Sequence, residues 1–228
     1  NRYMYDTGNP FLMPSITNNV TLGASYKWVN LYVGYSHVKD PMVQQTVAYS
    51  DDDPTIALLT IYNEPAYDKL LASISFSPTI GIWSPQLGIG INKQWYESET
   101  PQGKKKFGKP LGSLSFRNSF KLPAGFLLGL DGIWVSKGHQ ENVYMNKTRM
   151  DWDASLYKSF LKDNLIIQLM ATNLFASKQD VNLYSGIRVM HNLQTFHRQV
   201  TLTLRYKFNS TKSKYKGTGA GESQKSRM

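Results

Sequence analysis

The sequence predicts an all-β fold: an antiparallel transmembrane up-and-down β-barrel wall of about nine strands. Apolar residues recur at every second position in run after run. The positions between them carry Gly, Ser, Thr and charged residues, and the links between runs are alternately short and long.

The runs appear in order along the chain. Val20, Leu22, Ala24, Tyr26 and Trp28 share one face against Thr21, Gly23, Ser25 and Lys27. After a tight turn at Trp28-Val29, Leu31, Val33 and Tyr35 oppose Asn30, Gly34 and Ser36. Leu70, Ala72, Ile74 and Phe76 then oppose Ser73 and Ser75, and Leu87, Ile89, Ile91 and Trp95 oppose Gln86, Gly88, Gly90 and Asn92. Leu114, Phe116 and Phe120 oppose Ser115, Arg117, Ser119 and Lys121, followed by Leu128, Leu130 and Trp134 against Gly129 and Asp131. Met150, Trp152, Ala154 and Leu156 oppose Arg149, Asp151, Asp153 and Ser155. Leu165, Ile167, Leu169 and Ala171 oppose Gln168 and Thr172. The last run is the most regular: Val200, Leu202, Leu204, Tyr206 and Phe208 against Gln199, Thr201, Thr203, Arg205 and Lys207.

These runs reach roughly 7 to 10 residues with ends that can extend, which favours tilted strands crossing a bilayer over the shorter strands of soluble sheets. Their two faces agree. A soluble sandwich fills its inside with apolar side chains, whereas here bulky residues oppose small and charged ones, as when lipid lies outside and water inside. Aromatics collect near strand ends (Trp28, Trp83, Trp95, Trp134, Tyr26, Tyr157, Phe160, Tyr206 and Phe208) as an interfacial girdle would.

Short turns are expected at Trp28-Val29, Ser77–Thr79, Lys121–Gly125 and Leu161–Asn164. Longer links run over Lys39–Ala66, Glu97–Pro110, Ser136–Asn146 and Phe175–His197. Short periplasmic turns and long outer loops are the habit of outer-membrane barrels. Two links carry extended runs of their own, Val43–Tyr49 with Thr55–Tyr62 and Gly186–Asn192; the first two are expected to be joined by the turn Asp51-Asp52-Asp53-Pro54.

Composition excludes other classes. The densest apolar stretch, Leu165–Ala176, is broken by Gln168, Thr172 and Asn173, so no helix spans a membrane. The chain has no cysteine, which removes disulfides, thiolate metal sites and thiol nucleophiles. The net charge of +10 is concentrated in Lys104-Lys105-Lys106 and in the basic tail after Asn209, as in solvated or headgroup-facing segments. Aromatics do not interleave these basic runs, so no nucleic-acid partner is expected. No signal peptide is visible at Asn1, and an exported barrel needs one, so the chain is expected to be part of a longer precursor.

Three segments resemble a known family. Thr7-Gly8-Asn9-Pro10-Phe11-Leu12-Met13-Pro14-Ser15 resembles the Gly-Asn-Pro-x-Leu-x-Pro-Glu signature of an extracellular loop in TonB-dependent receptor barrels, with Ser15 where Glu is usual. Ser159–Asn164 followed by Ala171-Thr172-Asn173-Leu174-Phe175 is similar to that family's turn and strand end, with Thr172-Asn173 replacing the commoner pair. The ending from Arg198 to Asn209 and its basic extension is similar to the end of the outer-membrane β-barrel family of Bacteroides-like bacteria. The resemblance implies that residues 1–209 are the C-terminal portion of a barrel of about 22 strands. It further implies a basic periplasmic tail over 210–228, a plug and TonB-contacting segment before Asn1, and location in the outer membrane of a Gram-negative bacterium. Phe208 would be the terminal aromatic read by the barrel-assembly machinery.

Enzymatic motifs are missing. Gly88-Ile89-Gly90 lacks the third glycine of a dinucleotide loop, and there is neither a phosphate-cradling Gly-Lys-Ser/Thr loop nor a Gly-x-Ser-x-Gly elbow. His37, His139, His191 and His197 fall in separate loops or strand ends without metal-ligand spacing and read as surface histidines. No cofactor is expected. Asp151 and Asp153 share a face with Asp131, and Arg117, Arg149, Arg205 and Lys207 lie on the same surface as partners. Such charges suit a hydrated lumen or plug contact better than catalysis. The outer-loop tyrosines Tyr49, Tyr62, Tyr96 and Tyr184 are candidates to stack on an incoming sugar or chelate.

Two functions fit. In the first, the chain is wall and outer loops of a receptor importing an unknown extracellular solute, not an enzyme, with lipid, plug, TonB system and assembly machinery as partners. In the second it is a self-contained small barrel acting as adhesin, scaffold or passive pore. The second needs a tenth strand, from a run such as Gly186–Asn192, because closed bacterial barrels have even strand counts.

Overall fold

Alternating residues become strands because extended backbone throws successive side chains to opposite faces. The computed structural model describes residues 4–50 and 56–208. The tail over 210–228 and the Asp51–Pro54 turn lie outside the described residues.

In chain order the strands are β1 (Met4–Asp6), β2 (Ile16–Tyr26), β3 (Val29–Lys39), β4 (Met42–Ala48), β5 (Ala57–Asn63) and β6 (Tyr67–Phe76). Then come β7 (Trp83–Trp95), β8 (Glu97–Thr100), β9 (Gly103–Lys106), β10 (Leu111–Lys121), β11 (Phe126–Val135) and β12 (Gly138–Gln140). The last six are β13 (Val143–Met145), β14 (Arg149–Phe160), β15 (Leu165–Thr172), β16 (Lys178–Ser185), β17 (Arg188–Thr195) and β18 (Gln199–Tyr206). No helix among the described residues is long and apolar enough to cross a membrane.

One nine-stranded antiparallel sheet forms the wall, in the order β2-β3-β6-β7-β10-β11-β14-β15-β18. Each wall strand pairs with the next along the chain, an up-and-down order, and the strands it skips all belong to the long links. The register keeps the two faces separate. Ala24, Leu31, Ile74, Ile89, Leu114, Trp134 and Met150 are consecutive cross-strand partners. One step along lies the row Ser25, Asn30, Ser75, Gly88, Ser115, Ile133 and Asp151.

The bulky face has no covering layer. Ile89 and Ile91, on the interior wall strand β7, remain 42% and 46% exposed. Trp83 and Trp95 bracket that apolar row on β7, separated by about 30 Å along the membrane normal at about 3.4 Å per residue and a tilt of about 40°. At the short-turn end Trp83 stacks on Phe120 and Trp28 packs on Phe76, each pair with centroids 6.1 Å apart. Lys158 reaches over Phe126 and Phe160 at the same rim, the snorkelling expected of a lysine at an interface. Tyr157 alternates onto the polar face with Asp153 and Ser155 and so is no part of this girdle.

Three expectations are corrected. The first tight turn is Lys27-Trp28, with Lys27 in the left-handed region (φ 52°), so that Val29 already pairs with Tyr26. The links Glu97–Pro110 and Ser136–Asn146 hold the hairpins β8–β9 and β12–β13, whose strands of three or four residues are too short to show a period. The run Gly186–Asn192 contributes to β17, which sits in a separate sheet ordered β12-β13-β16-β17. It adds no tenth strand to the wall. Within the runs expected at 43–49 and 55–62, β4 does pair antiparallel with β5, with β1 added in parallel.

A direct check of facing uses two charge insertions at the same height. Ile89→Arg should destabilise the full-length protein in lipid by about 2–4 kcal/mol, while Ser73→Arg on the other face should cost far less. Urea unfolding in bilayers reads the difference; equal or reversed costs would mean the faces are assigned wrongly.

Candidate functional site

Two regions gather chemistry: a furrow on the polar face of the wall and the folded outer links above it. The furrow exists because small residues line it. Gly88 and Gly129 face the hydroxyls of Ser115 and Ser155 so closely that a β-carbon at either glycine would press on the hydroxyl. In that space Arg117 stands across from Asp131 on one neighbour and Gln86 on the other, and Asp131 stands across from Asp153. Arg117, Asp131, Asp151 and Asp153 line one concavity with Ser115 and Ile133.

The charges have different jobs. Asp151 accepts the Arg149 Nη2 at 2.5 Å and the Ser177 hydroxyl. Arg149 also donates from Nη1 to Gln179 at 3.2 Å and lies 4.5 Å from the Phe196 ring centroid. Asp153 accepts the backbone N–H of Asn173 at 2.8 Å, which seats the Thr172-Asn173 segment at the end of β15. So Arg149, Asp151 and Asp153 tie the top of β14 to the link before β18. Arg117 and Asp131 make no ion pair among the described residues and remain the furrow's uncommitted charges. Arg205 lies apart, across from Ile166 on the edge strand β18. Phe208 follows β18, 81% exposed, with its ring edge-on to Tyr206 at 4.6 Å.

Above the furrow the links fold inward over the polar face. Val38 and Tyr67, at the upper ends of β3 and β6, pack with Tyr96 and Phe107, and Tyr184 joins from β16. This is the dry apolar cluster of the described chain. Gln94, 2% exposed on β7, holds its edge: its Nε2 donates to the carbonyls of Phe107 (2.7 Å) and Glu141 (2.8 Å), and its Oε1 accepts the Glu141 N–H (2.7 Å). The β16–β17 turn docks on β4, where the N–H of Ile187 donates to the Thr46 carbonyl at 3.0 Å and Gly186 takes a left-handed φ of 53° against it.

Two readings of loop residues change. Tyr96 is buried in the cluster and Tyr184 packs on Phe107 with centroids 5.3 Å apart, so neither ring of that pair is free to stack on a solute; Tyr49 and Tyr62 stay exposed, Tyr49 with one side packed on Tyr5 at 5.1 Å. His139 is no surface histidine. It is 9% exposed between Phe107 and Tyr144, and its Nδ1 accepts the Lys109 N–H at 2.9 Å. Burial first, then the ammoniums of Lys105, Lys109 and Lys93, push its pKa down to about 4. His191 instead donates from Nε2 to Asp180 at 2.8 Å, and Asn146, His191 and Lys147 hold that carboxylate down at about 2. Lys106 and Lys104 hold Glu97 below the usual carboxylate range.

Sequence reasoning missed Gln94, Phe107 and His139 as structural centres. Gln94 sits in the regular polar face of its strand, and Phe107 and His139 stand alone in links without periodicity; only the isolated aromatic after three lysines hinted at an anchor. Among the described residues no three His, Asp or Glu side chains gather as a metal cage.

Comparisons with known proteins return one finding. A family model described as the outer membrane protein beta-barrel family matches residues 1–206. No curated protein and no solved structure matches the chain.

The buried neutral His139 gives the outer links a pH dependence of defined sign. An unfolded link takes up a proton below its ordinary value of 6.5, whereas the folded one refuses it until about 4. Stability is therefore complete above pH 6.5 and falls away between 6.5 and 4, by as much as about 3 kcal/mol. Hydrogen-exchange protection factors of residues 94–110 in the full-length protein, each taken against the intrinsic amide rate at the same pH, should fall from pH 7.5 to pH 5, and His139→Gln should flatten the dependence.

Proposed function

The chain belongs to the outer membrane protein β-barrel family, and from that premise we propose that it supplies the wall and outer loops of a TonB-dependent receptor importing an extracellular solute. Family membership places it in the outer membrane of Gram-negative bacteria. The observation that carries the import reading is the open sheet. Among the described residues β2 and β18 pair on one side only, and both are exposed along their length. An unpaired strand edge has no partner for its amides in hydrocarbon, so both edges require further strands. A barrel of about 22 strands supplies them and leaves a lumen wide enough for a plug.

The other parts take roles within that reading. The uncommitted Arg117 and Asp131 face the lumen, where a plug presents its own charges, and Arg205 meets it nearer the periplasm. The inward-folded links form part of the entrance, with Tyr49 and Tyr62 exposed toward arriving solute. Phe208 is the aromatic handed to the assembly machinery. The chain carries out transport as part of a larger whole and has no catalytic step of its own. A small barrel closed by β2 on β18 would have nine strands, since the run at 188–195 lies outside the wall.

The test uses the full-length gene product in its own bacterium. Labelled solutes too large for passive pores are offered to wild type, to a gene deletion, and to wild type with the inner-membrane proton gradient collapsed. Uptake of at least one solute should disappear in both of the latter. Uptake that persists without the gradient would mark a passive pore, and a deletion that changes only cell adhesion would overturn import altogether.

A further inference from the structure

The Lys104-Lys105-Lys106 run is divided by strand geometry. β9 alternates, so Lys105 turns one way and its two neighbours turn the other. Lys105 points to the aromatic cluster, its ammonium 3.6 Å from the Tyr184 centroid and 5.7 Å from that of Phe107. Lys104 and Lys106 turn away from it, onto Glu97 at 3.4 and 3.3 Å, and both are exposed. With Lys93, Trp95 and Gly108 they line a single hollow.

Lys93 shows which way that hollow faces. It belongs to the bulky row Leu87, Ile89, Ile91, Lys93 and Trp95, one step beyond the last isoleucine. Its ammonium donates to the Gly108 carbonyl and lies 5.6 Å from the Trp95 centroid. The hollow is therefore on the lipid side of the wall, at the level of the outer tryptophan. Three ammoniums against the one Glu97 carboxylate leave two positive charges there. Lysines serving only solubility would point to water; these three converge at the lipid boundary, with Glu97 holding two of them together.

We propose that Lys93, Lys104 and Lys106 bind a phosphate group of the glycolipid forming the outer leaflet of the outer membrane, with Trp95 packed at its headgroup–acyl boundary. Outer-leaflet glycolipid carries phosphates at this depth, and an ammonium near an anionic surface attracts it while a tryptophan ring sits at the interface. Glu97 sets the spacing of Lys104 and Lys106, so the phosphate meets a site already arranged. The inference rests on outer-membrane location and not on solute import, so either can fail without the other.

The experiment titrates the full-length protein in mild detergent with phosphorylated outer-leaflet glycolipid and with the same lipid after phosphatase treatment. Lys93→Gln/Lys106→Gln is compared with the control Lys137→Gln/Lys178→Gln, which removes the same charge elsewhere in the outer links. Heat-modifiable migration establishes that each variant is folded. The wild type and the control should prefer the phosphorylated lipid, and Lys93→Gln/Lys106→Gln should bind it about tenfold more weakly. If the wild type does not distinguish the two lipids, or the control loses as much as the test variant, the site is wrong. Full competition by millimolar inorganic phosphate would reassign it to a free anion and overturn the lipid.

Discussion

In hydrocarbon no water is available to satisfy a backbone amide, so every peptide group crossing the membrane must find its partner in the protein. The wall obeys this through one continuous ladder of antiparallel pairs, β2 to β18, with no crossover. The ladder forces the rest. A single sheet between lipid and water has no second layer to pack against, so its bulky residues stay exposed to solvent lipid and its small residues line the interior. The two outermost strands satisfy the rule on one side only. That is why the edges, more than any side chain, bear on how large the complete barrel is.

The same constraint moves the dry core out of the membrane. The cluster of Val38, Tyr67, Tyr96 and Phe107 lies at the upper end of the polar face, where the links fold over it. There water must be excluded by side chains, and ordinary protein packing applies. Backbone groups hold two buried polar side chains in this region, Gln94 on three of them and His139 on the Lys109 amide, while the buried Tyr96 hydroxyl has no hydrogen-bond partner among the described residues. The outer links are thus built as a folded unit standing on the wall. Their contacts with the furrow residues Arg149, Asp151 and Asp153 join the entrance to the interior surface below it.

The wall was legible because its signal is local and repeated. Nine runs of alternation correspond to nine wall strands, and the register preserves the faces they imply. Arg117, Asp131, Asp151 and Asp153 were placed on one surface by parity alone, and the cross-strand partners bring them into one furrow. The links were legible only where they imitate wall strands, as at β4, β5 and β17. The hairpins β8–β9 and β12–β13 have too few residues for a period and take their strand conformation from neighbours. His139 looked like a surface residue because its short link has no period; its hairpin partner Tyr144 and the distant Phe107, just past β9, bury it.

By itself the sequence determined the all-β wall, its strand count and which residues face lipid, because a two-residue period is a property of each strand taken alone. The tertiary structure decided what the long links do. It chose which lysine of 104–106 turns inward, which histidine is buried, and which aspartates hold loops while Arg117 and Asp131 stay free of ion pairs. Those outcomes depend on contacts between residues far apart in the chain. Such contacts leave no periodic trace, since each is set by the shape of the partner surface and not by the spacing of the residues that make it.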